Sequence, residues 1–149
     1  MSKETGADSP AAPDADILVP ISVGELVDKI TILQIKFERI GDRDQLANVQ
    51  RELAALQAAA TCIACDAAVL AQCTADLKLV NEALWEIEDT IRDCEARGDF
   101  GERFIALARA VYQYNDERAR LKRTINIAAG SRYVEEKSYA ALAPRRDSD

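Results

Sequence analysis

Two stretches carry polar side chains where a plain helix pair would carry aliphatics: Asn81 to Glu88, NEALWEIE, and Tyr114 to Asn126, YNDERARLKRTIN. At helical spacing Asn81 and Glu88 share an arc with Leu77, Leu84 and Ile91. Asn115, Arg118, Lys122 and Asn126 share one with Phe104, Leu107, Val111, Tyr114, Leu121 and Ile125. Charge inside an apolar arc is costly unless it is paired and hydrogen-bonded. The interruption therefore marks an ion-pair network or a pocket. Arg118 beside Lys122 has the geometry for phosphate or carboxylate, and Glu88 is the one acid–base candidate at hand. Asn81, Glu88, Asn115, Arg118, Lys122 and Asn126 are the candidate ligand-binding residues. Glu88 would pair with one cation. The other would take Glu25, Asp28, Glu135, Glu136 or an anionic ligand. Trp85, at the edge of the arc, is a packing residue or the stacking floor of a pocket.

Other chemistries are less well provided for. Glu82, Glu86, Asp89 and Asp93 form a carboxylate stripe on the opposite face, which reads as a solvated surface. Its alternative is a Mg²⁺ site of the kind all-helical nucleotide pyrophosphohydrolases build from paired acidic motifs. Glu86 and Asp89 supply one E-x-x-D half, and the upstream half is missing. Cys62 and Cys65 form a C-x-x-C pair without the strand a redox motif expects, and Cys73 and Cys94 fall on an apolar seam as small core residues. With no histidine in the chain, the usual nucleophilic triads are out of reach, and a zinc site would need all four cysteines. The six glycines are scattered and form no phosphate loop. No metal site and no cofactor are expected.

The elements that must position these residues are helical. Few glycines and prolines and an apolar content of 48%, with only 5% aromatic, give a helix-rich composition. Ser22 and Glu25 form an S-x-x-E capping box, and Leu26, Ile30, Leu33, Phe37 and Ile40 follow as an apolar stripe up to Gly41. Ile32 and Ile35 lie on a second face, to be covered by a second copy of the chain or by helix 2. Helix 2 is expected over about 44–60, with Leu46, Val49, Leu53 and Leu56 as its stripe, then a break near Thr61–Cys65. Helix 3 is expected over about 66–97 and helix 4 over about 101–128, stopped by Gly98 and Gly130. Their short connection makes them antiparallel and sets Arg118 level with Asn81. The fold class is all-α: an antiparallel bundle of about four helices with a long helix 3–helix 4 hairpin. Residues 1–16 are expected to be a disordered tail, 17–130 the bundle, and 131–149 a partly ordered tail. The apolar lead-in Ile17 to Ile21 is expected to pack on the bundle.

A chain of 149 residues is one domain by size, and its formal net charge of −7 argues against nucleic acid or an anionic membrane as partner. No apolar run reaches the roughly 18–20 residues of a membrane span, and the acidic N-terminus is not a secretory signal. A cytoplasmic protein is expected, with a second copy of the chain as partner and an anionic small molecule as candidate ligand.

The stretches ISVGELVDKITILQIKFERI, LWEIEDTIR, FIALARAVYQYNDERARLKRTIN and GSRYVEEKSY, in this order, resemble a small bacterial all-helical family of unknown function. The resemblance covers about residues 18–140. It implies that the lead-in, the polar face of helix 4 and the EEKSY tail belong to one unit, and it supplies no activity and no catalytic residue. The reading is a homodimeric interaction or ligand-binding module. Its alternatives are an enzyme or binding protein for a phosphate- or carboxylate-bearing small molecule and, behind it, a Mg²⁺-dependent nucleotide pyrophosphohydrolase.

Overall fold

The computed structural model describes residues 16–138. They form four helices: α1 Val23–Arg39, α2 Arg43–Ala60, α3 Ala67–Arg97 and α4 Glu102–Ala128, with no strand among the described residues. Each helix starts and stops for a local reason. Ser22, Asp42 and Asp66 cap α1, α2 and α3 by accepting first-turn N–H groups. Gly98 ends α3 in the left-handed conformation, φ 66°, which glycine adopts without Cβ strain. The Thr61–Cys65 break is the turn between α2 and α3, as expected. Nearly all of the N-terminal tail expected over 1–16, and the C-terminal tail from 139 onward, lie outside the described residues.

Helix α1 is the hub. It packs on α2, α3 and α4; α3 and α4 form the long hairpin; among the described residues α2 packs on no helix but α1. The core gathers Val27 of α1, Cys73, Leu77 and Val80 of α3, and Leu121 and Ile125 of α4. Cys73 and Cys94 are buried as small hydrophobes, while Cys62 is exposed, and all four thiols are free. At about 1.5 Å per residue the 31-residue α3 outreaches the 17-residue α1 by about 20 Å. The hairpin tip therefore packs largely on itself, with Phe100 and Phe104 meeting edge to face at 5.3 Å.

Packing departs from expectation in three places. Phe37, placed on the core stripe, is exposed, and the second face of α1 borders α3 and α4. Ile35 on that face is 1% exposed within the single chain and lines a groove with residues of α3 and α4. The most buried line on α1 is Gly24, Asp28, Thr31 and Ile35, at i, i+4, i+7 and i+11. The lead-in does not pack either: Ile17, Leu18 and Val19 are 88%, 92% and 65% exposed.

The start of α1 and the end of α4 cap each other. Gly130, at φ 60°, closes α4 in a Schellman turn in which the Ser131 N–H donates to the Asn126 carbonyl at 2.8 Å. That turn presents Ser131 Oγ to the Val23 N–H at 3.2 Å and Asn126 Oδ1 to the Gly24 N–H at 2.7 Å. With Ser22 Oγ accepting from Glu25, three otherwise orphaned donors of α1 are satisfied. The negative end of one helix dipole meets the positive end of the other. The contact is so close that a Cβ on Gly24 would lie 2.4 Å from the Lys122 carbonyl oxygen, a backbone atom that cannot step aside. Gly24→Ala is therefore expected to destabilise the fold by about 1–3 kcal/mol, the usual cost of overpacking. Chemical denaturation checks this, and an unchanged midpoint would refute the close approach.

Candidate functional site

The centre of the site is Asp28, a carboxylate that is 0% exposed. Three side-chain donors meet it. Asn81 Nδ2 donates to Oδ1 at 2.9 Å, Arg118 Nε lies 2.9 and 3.1 Å from the two oxygens, and Arg118 NH2 donates to Oδ2 at 2.5 Å. Thr31 Oγ1 takes a second hydrogen bond from Asn81 and donates to the Asp28 carbonyl. Each partner comes from a different helix: Asp28 and Thr31 from α1, Asn81 from α3, Arg118 from α4. The hairpin register expected from the sequence is thus met to the atom, since Asn81 and Arg118 share Asp28 Oδ1. The hydrogen bond that Arg118 donates to Asp28 raises the Arg118 pKa against burial, so the guanidinium stays charged.

One turn along α4, Lys122 forms a second network. Its Nζ donates to Glu25 Oε2 at 2.6 Å and to Glu135 Oε2 at 2.9 Å. Burial works against the ammonium, and the two hydrogen bonds outweigh it, so the Lys122 pKa is raised. The hydrogen bond from Lys122 correspondingly lowers that of Glu135. Glu136 reaches Arg123 at 3.2 Å, and Lys137 stands 3.9 Å from Glu135. Residues 131–138 thus lie as a strap along the end of α4. Glu25, expected to complete the capping box at Ser22, spans to α4 instead.

Arg118 borders three adjoining cavities. The largest, about 430 Å³, is a groove between α1, α3 and α4 with Ile32, Ile35, Leu84 and Val111 as apolar wall. Trp85, Asn81, Asn115, Glu88 and Asp89 complete it. The Arg39 guanidinium lies 5.9 Å over the Trp85 ring and is also paired with Glu86.

The six candidate residues separate on this map. Asn81, Arg118 and Lys122 are gathered, with the latter two paired to Asp28 and to Glu25 plus Glu135, partners the sequence had named as options. Asn126 is buried, but it caps α1. Asn115 borders the groove while its amide donates to the Val111 carbonyl of its own helix at 3.0 Å. Glu88 corrects the expectation: its side chain is 54% exposed, it pairs with Arg92 one turn along α3 at 2.9 Å, and it touches neither buried cation. Three of the four stripe carboxylates are likewise spent on surface pairs, Glu82 with Lys78, Glu86 with Arg39 and Asp93 with Arg97. Among the described residues no three acidic or cysteine side chains gather as a metal-holding group, so Glu86 and Asp89 find no second half for a Mg²⁺ site.

Three participants were not singled out from the sequence: Thr31, Gly24 and Ser131. The available signal for Asp28 and Thr31 was their spacing, since Asp28 stands four and seven residues before Ile32 and Ile35.

The chain belongs to a family of unknown function, DUF6165, whose model matches residues 17–146. No curated protein and no solved structure matches it. The match spans the lead-in, all four helices and the strap.

Arg118→Leu strips a wholly buried carboxylate of its counter-ion and is expected to cost about 3–5 kcal/mol. Combining it with Asp28→Asn should restore part of that loss, because no unpaired charge remains inside. A double mutant as unstable as the sum of the singles, measured by denaturant unfolding, would show that the pair is not coupled.

Proposed function

We propose that this protein is a ligand-binding module whose ligand is a small molecule with an apolar body and an anionic or strongly hydrogen-bonding head. The body would lie in the groove against Ile32, Ile35, Leu84, Val111 and Trp85, and the head would meet Arg118 and Asn115. One observation carries the reading. Asp28 pins Nε and NH2 of Arg118, while NH1 donates to none of the described residues. A guanidinium held from behind with one edge open is pre-organised, so little side-chain entropy is lost when an oxygen acceptor arrives. The groove volume of about 430 Å³ falls within the roughly 300–1,000 Å³ of small-molecule sites, and its apolar wall with few polar groups fits the same pattern. The groove offers no nucleophile–base pair, and its acidic residues, Glu88 and Asp89, stand on exposed positions, which favours binding over catalysis. A cytoplasmic setting belongs to this reading: all four cysteines are free, as in a reducing compartment, and no helix among the described residues is long and apolar enough to cross a membrane.

Trp85 is the sole tryptophan of the chain, so its emission reports on the groove alone. A library of small carboxylates and phosphate esters is expected to contain compounds that shift Trp85 emission. At a hundredfold excess over Kd they should raise the Tm by about 5–10 °C. A library that moves neither signal at millimolar concentration would sink the ligand reading.

A second reading, a homodimer, draws on a different observation. Ile17, Leu18 and Val19 are three consecutive large aliphatic residues in water, on a segment ahead of α1 that is neither helix nor strand. In this reading they dock on a second copy. Light scattering of the wild type should then give a dimer and Leu18→Ser a monomer, with helix content unchanged. A monomeric wild type at high concentration would remove this reading and leave the groove untouched.

A further inference from the structure

Lys122 is met by two carboxylates of different standing. Glu25 lies in the first turn of α1, fixed by the Ser22 cap and the Gly24–Asn126 contact. Glu135 belongs to the 131–138 strap, which is neither helix nor strand and is mostly exposed. With Asn115, Arg118, Ala119 and Lys137, these residues enclose a second cavity of about 230 Å³. It adjoins the groove through Asn115 and Arg118, which border both.

Around this cavity Arg118 is paired with Asp28, and Lys122 is held by two carboxylates, Glu25 and Glu135. Lifting Glu135 away would leave Lys122, 7% exposed, with one counter-ion for an ammonium now shielded by two. Carboxylate oxygens of a surface segment thus hold a place that a ligand's oxygens could take, next to the open edge of Arg118. Asp28 could not vacate its position without unpacking α1, and the Glu25 backbone is fixed in the first turn of that helix.

We propose that this cavity is an oxyanion site, and that Glu135 is its built-in occupant: a carboxylate- or phosphate-bearing ligand enters by displacing Glu135 from Lys122 and lifting the 131–138 strap. This rests on the ligand reading for Arg118 and adds where the head binds and what closes over it. An internal competitor lowers apparent affinity by the fraction of time the site is open. It also selects for ligands that offer an anion, because a neutral head could not replace what it displaces.

Glu135→Gln keeps the shape and removes the charge. Inorganic phosphate and acetate are titrated into the full chain at constant ionic strength, with thermal stability and nuclear magnetic resonance shifts as readouts. A site that is open about a tenth of the time gives Glu135→Gln about tenfold tighter binding of at least one of the two anions than the wild type. The two arms tell which head group is preferred. Glu136→Gln, whose partner is the exposed Arg123, should behave as the wild type does. Equal responses of wild type and Glu135→Gln to both anions, including no response in either, overturn the proposal. Nuclear magnetic resonance of the unaltered chain provides a check that needs no variant: saturating anion should move the 131–138 amide resonances toward random-coil positions, and unmoved resonances there overturn it as well. Trp85 emission separates this proposal from the groove reading. Anion binding with silent Trp85 keeps the oxyanion site and not the groove, and a groove ligand that binds both variants equally does the reverse.

Discussion

A carboxylate with no exposed surface is the constraint around which this bundle is arranged. An unpaired charge at Asp28 would be intolerable, so α3 and α4 must each bring a donor to the same few ångströms. Asn81 and Arg118 do so, and both reach Oδ1. Sliding α4 by one turn would move Arg118 about 5 Å away, and rotating α3 would take Asn81 off the interface. Aliphatic packing tolerates such slips far better than a hydrogen-bonded ion does. The network adds little net stability over a well-packed apolar replacement, and its physical consequence is a fixed register among three helices.

The second determinant is the joint between the two helix ends. Gly24 lets the first turn of α1 lie directly on the backbone of α4, and Asn126 and Ser131 serve the N–H groups buried there. The same Schellman turn that makes this cap directs the chain back along α4, which brings Glu135 to Lys122. Structural capping and the closure of the cavity beside Arg118 are therefore consequences of one turn.

Half-buried Arg118 and buried Lys122 are both largely committed to protein carboxylates, which narrows what the site can do. It does not resemble a vacant basic pocket waiting for any anion. What remains available is one edge of Arg118, the second N–H of the Asn115 amide, an apolar groove with Trp85 in its wall, and the position held by a carboxylate from a surface strap. A ligand suited to this arrangement must bring oxygen acceptors and apolar surface together.

Local sequence signals determined the elements. The Ser22 cap, glycines at 98 and 130, and the apolar spacings of the helices set four helices to within a residue or two, because these depend on groups only a few positions apart. The hairpin register was also legible, since a short connection leaves two long helices little choice. The sequence alone could say that Arg118 and Lys122 needed partners and name the carboxylates within reach. Tertiary structure alone decided among them. Glu88 and Asp28 are both acidic residues at helix positions bordering apolar ones; Arg92 four residues after Glu88 and Ile32 four residues after Asp28 lean the two apart, but local spacing does not set how deeply either is buried. Only the packing of α1 against the hairpin takes Asp28 out of water and leaves Glu88 to Arg92 at the surface. Burial of a charge is a property of the helices that surround it, which is why the centre of this site could not be read from the segment that carries it.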